Sequence, residues 1–173
     1  FDESRNYSIE PYLYAHSIIL SFEVVPAFYF NSLFGTSNDI SKFIISDNKR
    51  DLNRYKWNNE RLIKNLKINN SKQSVFYNEM TNLIKIRRKQ KAFHPNAQRK
   101  NLNFGSKFYA LERISLDKSQ KILAITNLTS KTQVLKTNSK YLKSKNLLGQ
   151  KFKITFDKEL VFNPFQTFWL SIN

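Results

Sequence analysis

The chain has no cysteine, one methionine, two histidines and three glycines in 173 residues. Each shortage excludes a chemistry. Without cysteine there is neither a disulfide framework nor a thiolate metal site, and a reducing cytoplasm is the compatible compartment. Gly35, Gly105 and Gly149 are too scattered to form a phosphate-cradling loop, and no HExxH, EF-hand or G-x-S-x-G motif occurs. His16 lies on an apolar helical face and reads as a core histidine, whereas His94 precedes Pro95 at a helix exit and reads as a turn residue. No metal or other cofactor is expected. The longest apolar run, around residues 24–34, is about ten residues long and too short to cross a bilayer. The opening Phe1-Asp2-Glu3-Ser4 lacks Met and has no signal-peptide character, which predicts that something precedes it in a complete protein.

Apolar material is plentiful, at 40% hydrophobic and 14% aromatic residues, so a packed core is expected. Charge is lopsided. Residues 1–41 carry one basic and five acidic groups, and the remainder carries 28 basic and eight acidic, for a net +16. The lysines are spread over every segment and are densest at Lys85, Arg87, Arg88, Lys89 and Lys91. A nucleic-acid surface would gather arginines and aromatics in one stripe, so a solvated basic surface is the favoured reading.

Residues 9–22 carry helical spacing, with Ser8 as N-cap and Pro11 in the first turn. Val24-Val25-Pro26-Ala27-Phe28-Tyr29-Phe30 reads as a strand buried on both faces, as in a parallel barrel. A long polar segment follows, from Asn31 to Asn53. Helices are expected over 58–67 and 74–90, the latter ending before His94-Pro95. Beyond residue 98 the period becomes that of short strands, over 108–114, 121–127, 132–135, 152–156, 159–162 and 167–172, separated by turn residues. That spacing predicts an antiparallel sandwich.

One constellation carries candidate chemistry. Arg50, Asp51, Asn53 and Arg54 fall within five residues and alternate donors with acceptors. In a parallel barrel, the loop leaving a strand's carboxyl end builds the active face. The cluster fits two readings: a holder of sugar hydroxyls or phosphate, or an arginine–aspartate network that pins the loop.

The run Val25 to Asp39, followed by Arg50-Asp51-Leu52-Asn53-Arg54, resembles the last barrel strand and loop of sucrose-phosphorylase-type enzymes of glycoside hydrolase family 13, in the α-amylase superfamily. Ala92-Phe93-His94-Pro95-Asn96-Ala97 resembles the exit of the final barrel helix, and Asn163 to Leu170 the terminal strand of the small β domain. Asn31-Ser32-Leu33-Phe34-Gly35 is closer to the glucosylglycerate and sucrose 6-phosphate phosphorylases. The resemblance implies the C-terminal part of a (β/α)8 barrel over residues 1–91 and a small antiparallel β-sandwich domain over 92–173. It also implies a retaining glucosyl transfer to inorganic phosphate, giving α-glucose 1-phosphate, through an aspartate nucleophile, a glutamate acid/base and a third carboxylate. All three would lie upstream, so this chain alone is expected to be inactive and to need the missing N-terminal barrel segment as partner. Arg50 matches the arginine that reaches the sugar or phosphate; Asp51, Asn53 and Arg54 match the same motif. Two positions depart from the family, Val24 and Lys49, where glycine is usual. The alternatives are a basic module for nucleic acid or another polyanion, and a remnant without function.

Overall fold

The computed structural model describes residues 9–172. In chain order the elements are α1 (Glu10–Ser21), α2 (Ile40–Ser46), α3 (Asn59–Lys67), α4 (Lys72–Arg88), β1 (Gln98–Leu102), β2 (Phe108–Ile114), β3 (Lys121–Asn127), β4 (Gln133–Lys136), α5 (Ser139–Leu142), β5 (Lys145–Asn146), β6 (Lys153–Ile154), β7 (Glu159–Phe162) and β8 (Thr167–Ile172). Short 3-10 turns stand at Phe30–Phe34, Lys49–Asn53 and Lys91–Phe93. The chain folds as two units, one of Phe1–Pro26 with Leu83–Asn173 and one of Ala27–Asn82.

The first unit is built on two antiparallel sheets, ordered β1-β2-β3-β8-β5 and β4-β7-β6. In the larger sheet Ala110 faces Ile125 and Ile125 faces Phe168 across the strands. Because side chains alternate along a strand, this register gathers Phe108, Ala110, Leu123, Ile125, Phe168 and Leu170 on one face. They pack against Leu135, Leu160 and Phe162 of the smaller sheet. Phe162 anchors the layer, with ring centroids 4.6 Å from Phe168 and 5.1 Å from Phe108.

The opposite face of the large sheet is covered by α1 and by the turn Lys91–Phe93. Phe93 meets Trp169 edge-on at 4.7 Å. Ser17 Oγ of α1 lies 2.8 Å from Thr167 Oγ1, which lies 2.9 Å from Thr126 Oγ1. Burial on both faces explains why β3 is continuously apolar from Ile122 to Ile125 rather than alternating.

Three arginines gather at the end of α1, where helix carbonyls lack intrahelical partners. Arg113, wholly buried, donates to the carbonyls of Ser21 (2.8 Å), His94 (2.7 Å) and Ala97 (3.2 Å). Arg87 donates to the carbonyls of Leu20 (2.6 Å) and Val24 (2.8 Å). Arg99 pairs with Glu23 at 2.8 Å. Burial pulls the Arg113 pKa down, and nearby Glu23 opposes that shift.

Helices α1, α3 and α4 and most strands match the expectations from sequence, whereas α2 and α5 fall where the sequence reads as loop. α1 is capped at Ile9, and Ser8 lies outside the described residues. The strand expected over Val24–Phe30 does not form. No helix or strand is assigned over residues 22–29, and Val25 is 80% exposed where full burial was expected. A strand needs at least one ladder partner, and every pairing among the described residues is antiparallel and lies elsewhere. Among the described residues no helix is long and apolar enough to cross a membrane.

Candidate functional site

The polar segment from Asn31 onward is held shut by its own side chains. Tyr29 is extended, and the chain then turns through Phe30–Phe34 into Gly35, which is left-handed at φ 57°. Gly35 is required there twice over: the angle disfavours any side chain, and an added Cβ would fall within 2.6 Å of the Phe76 ring. The turn's aromatics pack locally, Phe30 on Phe34 and Phe34 on Tyr77.

The two ends of the segment are tied together. Asn31, buried, donates through Nδ2 to the Tyr55 carbonyl at 2.9 Å. Trp57 Nε1 donates to Thr36 Oγ1 at 3.0 Å. Asp39 N donates to the Leu52 carbonyl at 2.7 Å, and its carboxylate caps α2 by accepting from Lys42 N at 3.0 Å. The result is a closed loop whose ends meet and whose tip faces water, a form that often carries function.

Arg50, Asp51 and Asn53 lie in the 3-10 turn Lys49–Asn53, and Arg54 is its C-cap. Asn48 begins the turn, its Oδ1 accepting from Arg50 N at 3.0 Å. Arg50, Asn53 and Arg54 are exposed. Asp51 pairs with Lys42 at 2.8 Å. The Lys42 ammonium and then the Ser46 hydroxyl hold its carboxyl below the usual carboxylate range. The brace of the loop is therefore a lysine nine residues upstream, where the sequence pointed to a neighbouring arginine. Lys49 takes an ordinary backbone angle; the left-handed residue beside the turn is Asp47, at φ 49°. Glycine is thus not demanded at position 49.

The histidines hold structure in place. His16 Nδ1 lies 2.9 Å from the Tyr12 carbonyl, and His94 Nδ1 accepts from Asn96 N at 3.1 Å while its carbonyl receives Arg113. Among the described residues no group of three or more His, Asp or Glu is placed to hold a metal ion. The Arg50 turn is thus a set of exposed donors on a braced loop, suited to holding hydroxyls or an anion and lacking a paired acid and base.

No protein-family model matches the chain. The glucosylglycerate phosphorylase of Allomeiothermus silvanus is 29% identical over 169 residues, covering 98% of this chain and 28% of that protein. The glucosylglycerate phosphorylase of Escherichia coli is 26% identical over 162 residues, covering 92% and 28%. The chain therefore spans little more than a quarter of the length of these curated relatives. Among solved structures, an isomaltulose synthase from Erwinia rhapontici in complex with D-glucose superposes with a TM-score of 0.67 at 16% identity, over 99% of this chain and 40% of that one. AmyP in complex with maltose superposes at 0.67 and 15% identity, over 95% and 34%. At such identities the likeness establishes fold alone. Over nearly its whole length the chain is distantly similar to glucosylglycerate phosphorylases, and it folds like roughly a third of an α-amylase-family chain.

Proposed function

We propose that this chain is the C-terminal part of a cytoplasmic glucosyl-transferring phosphorylase, whose substrate is a glucoside such as glucosylglycerate or sucrose 6-phosphate. Residues 1–91 supply the flanking helices of the barrel and the run Val24–Phe30, which becomes its last strand once neighbouring strands are present, and 92–173 supply its β domain. The observation that carries this reading is the match of 98% of the chain to 28% of a glucosylglycerate phosphorylase. The exposed apolar run fits it: Val24, Val25, Tyr29 and Phe30 form the kind of surface that a barrel strand buries against its neighbours. On this reading the segment after Phe30 crosses the mouth of the completed barrel. Arg50 reaches the sugar or the phosphate, and Asp51, Asn53 and Arg54 shape the same loop.

The division of labour follows from chemistry. Retaining transfer needs a nucleophile and an acid/base on either side of the scissile bond, and both belong to the N-terminal barrel segment. This chain contributes fixed positive charge and hydrogen-bond donors, which orient substrate without cleaving it. The fold itself uses Arg87, Arg99 and Arg113, as described above, so these arginines are not free for the phosphates of a nucleic acid.

Co-expression with an upstream segment that carries the three carboxylates tests the proposal. The two pieces are expected to co-purify and to release α-glucose 1-phosphate from a glucoside only when phosphate is present, while either piece alone is inactive. A stable complex without phosphate-dependent release would overturn it.

A further inference from the structure

We infer that a groove in the first unit binds a small anionic sugar, a sugar phosphate or sugar acid. This rests on residues 102–141 and is independent of the reading of the Arg50 loop. The groove is shallow and open to solvent, with a volume of about 490 Å³, and is lined by Leu102 at the end of β1, by Asn103 and Phe104 after it, by Lys136 at the end of β4, and by Lys140 and Tyr141 of α5. That volume lies within the range of small-molecule sites, roughly 300–1,000 Å³.

The lining divides by chemistry. Leu102, Phe104 and Tyr141 give an apolar floor, the two rings meeting edge-on at 6.4 Å. Leu102 and Phe104, both half-buried, are the part of this floor open to the C–H face of a pyranose, with the buried Tyr141 behind them. The Lys140 ammonium is held over the Tyr141 ring, 4.7 Å from its centroid. Lys136 is exposed, no acidic residue lines the groove, and no ion pair is recorded for either lysine among the described residues. Glu159 stands opposite Lys136 in the β4–β7 register, outside the lining, so the charge of Lys136 is offset in part while that of Lys140 has no acidic partner in the groove.

The amides add donors. Asn103 Oδ1 accepts from Gly105 N at 2.9 Å, and Asn138 Oδ1 accepts from Lys140 N at 3.1 Å. These bonds fix the two amides so that each Nδ2 group is available as a donor. Thr137, also in the lining, holds a buried hydroxyl with no hydrogen-bond partner. Donors and positive charge above an apolar floor call for a ligand rich in acceptors, negatively charged and flat on one side.

Calorimetric titration of the full chain at low salt, with α-glucose 1-phosphate, glucuronate, glucose and inorganic phosphate, tests this. Saturable one-to-one binding is expected for α-glucose 1-phosphate or glucuronate, and which of the two binds tells phosphate from carboxylate. Glucose and inorganic phosphate should each bind at least about tenfold more weakly, since each lacks half the contacts. The double variant K136A/K140A should lose about tenfold or more in affinity with an unchanged circular dichroism spectrum, and Thr137→Val a smaller factor. Arg50→Ala should leave binding as it is. Absence of saturation, insensitivity to the lysines, phosphate binding as tightly as the sugar phosphate, or loss of binding in Arg50→Ala would each overturn the inference.

Discussion

Arg113→Met is expected to destabilise the chain by about 3–5 kcal/mol, the cost of breaking a buried charged hydrogen-bond set on one side. Methionine matches the length of the arginine stem and keeps most of the packing. What it removes are the donors to the carbonyls of Ser21, at the end of α1, and of His94 and Ala97, in the loop before β1. The Ser21 and Ala97 carbonyls would lose this partner, whereas that of His94 keeps the Ala97 N–H at 2.9 Å. Arg87 is already held at the Leu20 and Val24 carbonyls, so reaching the carbonyls that Arg113 serves would break its own bonds. The comparison variant is Arg99→Ala. Its ion pair with Glu23 is about a third exposed on both sides. Such surface pairs are worth about 1 kcal/mol or less. Urea unfolding followed by tryptophan fluorescence reads both, since Trp169 is fully buried beside Phe93. Arg113→Met within about 1 kcal/mol of the wild type would show that the carbonyls find other partners.

Gly35→Ala is expected to cost about 2–4 kcal/mol, combining a left-handed angle with an overpacked contact. The two causes separate in a double-mutant cycle. In a Phe76→Ala background the ring that a new Cβ would strike is gone, so Gly35→Ala should cost only about 1–2 kcal/mol, the backbone share. The change should also be felt locally. Gly35 is followed by Thr36, whose hydroxyl receives Trp57 Nε1 and helps to close the loop. Trp57 emission should therefore shift at denaturant concentrations where Trp169 still reports a native sheet. Equal costs in both backgrounds would mean that the Phe76 ring moves aside freely.

The strands β2, β3, β7 and β8 are legible in the sequence to the residue, because each is an apolar run bounded by turn formers such as Asp117-Lys118-Ser119 and Asn163-Pro164. β1 is not, for the opposite reason. Gln98-Arg99-Lys100-Asn101 is an edge strand open to water, and charged residues at an edge discourage further pairing without giving a periodic signal. α2 hides in the polar segment in the same way: Ile44 and Ile45 are 73% and 87% exposed, so their spacing marks no buried face. The run Val24–Phe30 reads as a buried strand because it is nearly all apolar, yet Val25, Tyr29 and Phe30 stand exposed, since no strand of the described residues pairs with it.

The candidate site shows a similar split. Arg50, Asp51, Asn53 and Arg54 stand out as a cluster because they are neighbours in sequence. The partner of Asp51 does not, since Lys42 reaches it only after the turn of α2 folds the chain back. Arg113 was a missed signal. An arginine inside a strand buried at nearly every position needs acceptors, and the free carbonyls at a helix end are a common source.

The assignment of Arg50 to the sugar or phosphate site is tested most directly by steady-state kinetics on the assembled enzyme, comparing Arg50→Ala with Arg50→Lys. Because the Arg50 side chain is exposed, neither change should move thermal stability. Arg50→Ala is predicted to raise KM for phosphate or for the glucoside by about tenfold or more, with Arg50→Lys restoring part of the loss. Unchanged KM and kcat in both variants would place the turn away from the reaction and contradict the assignment.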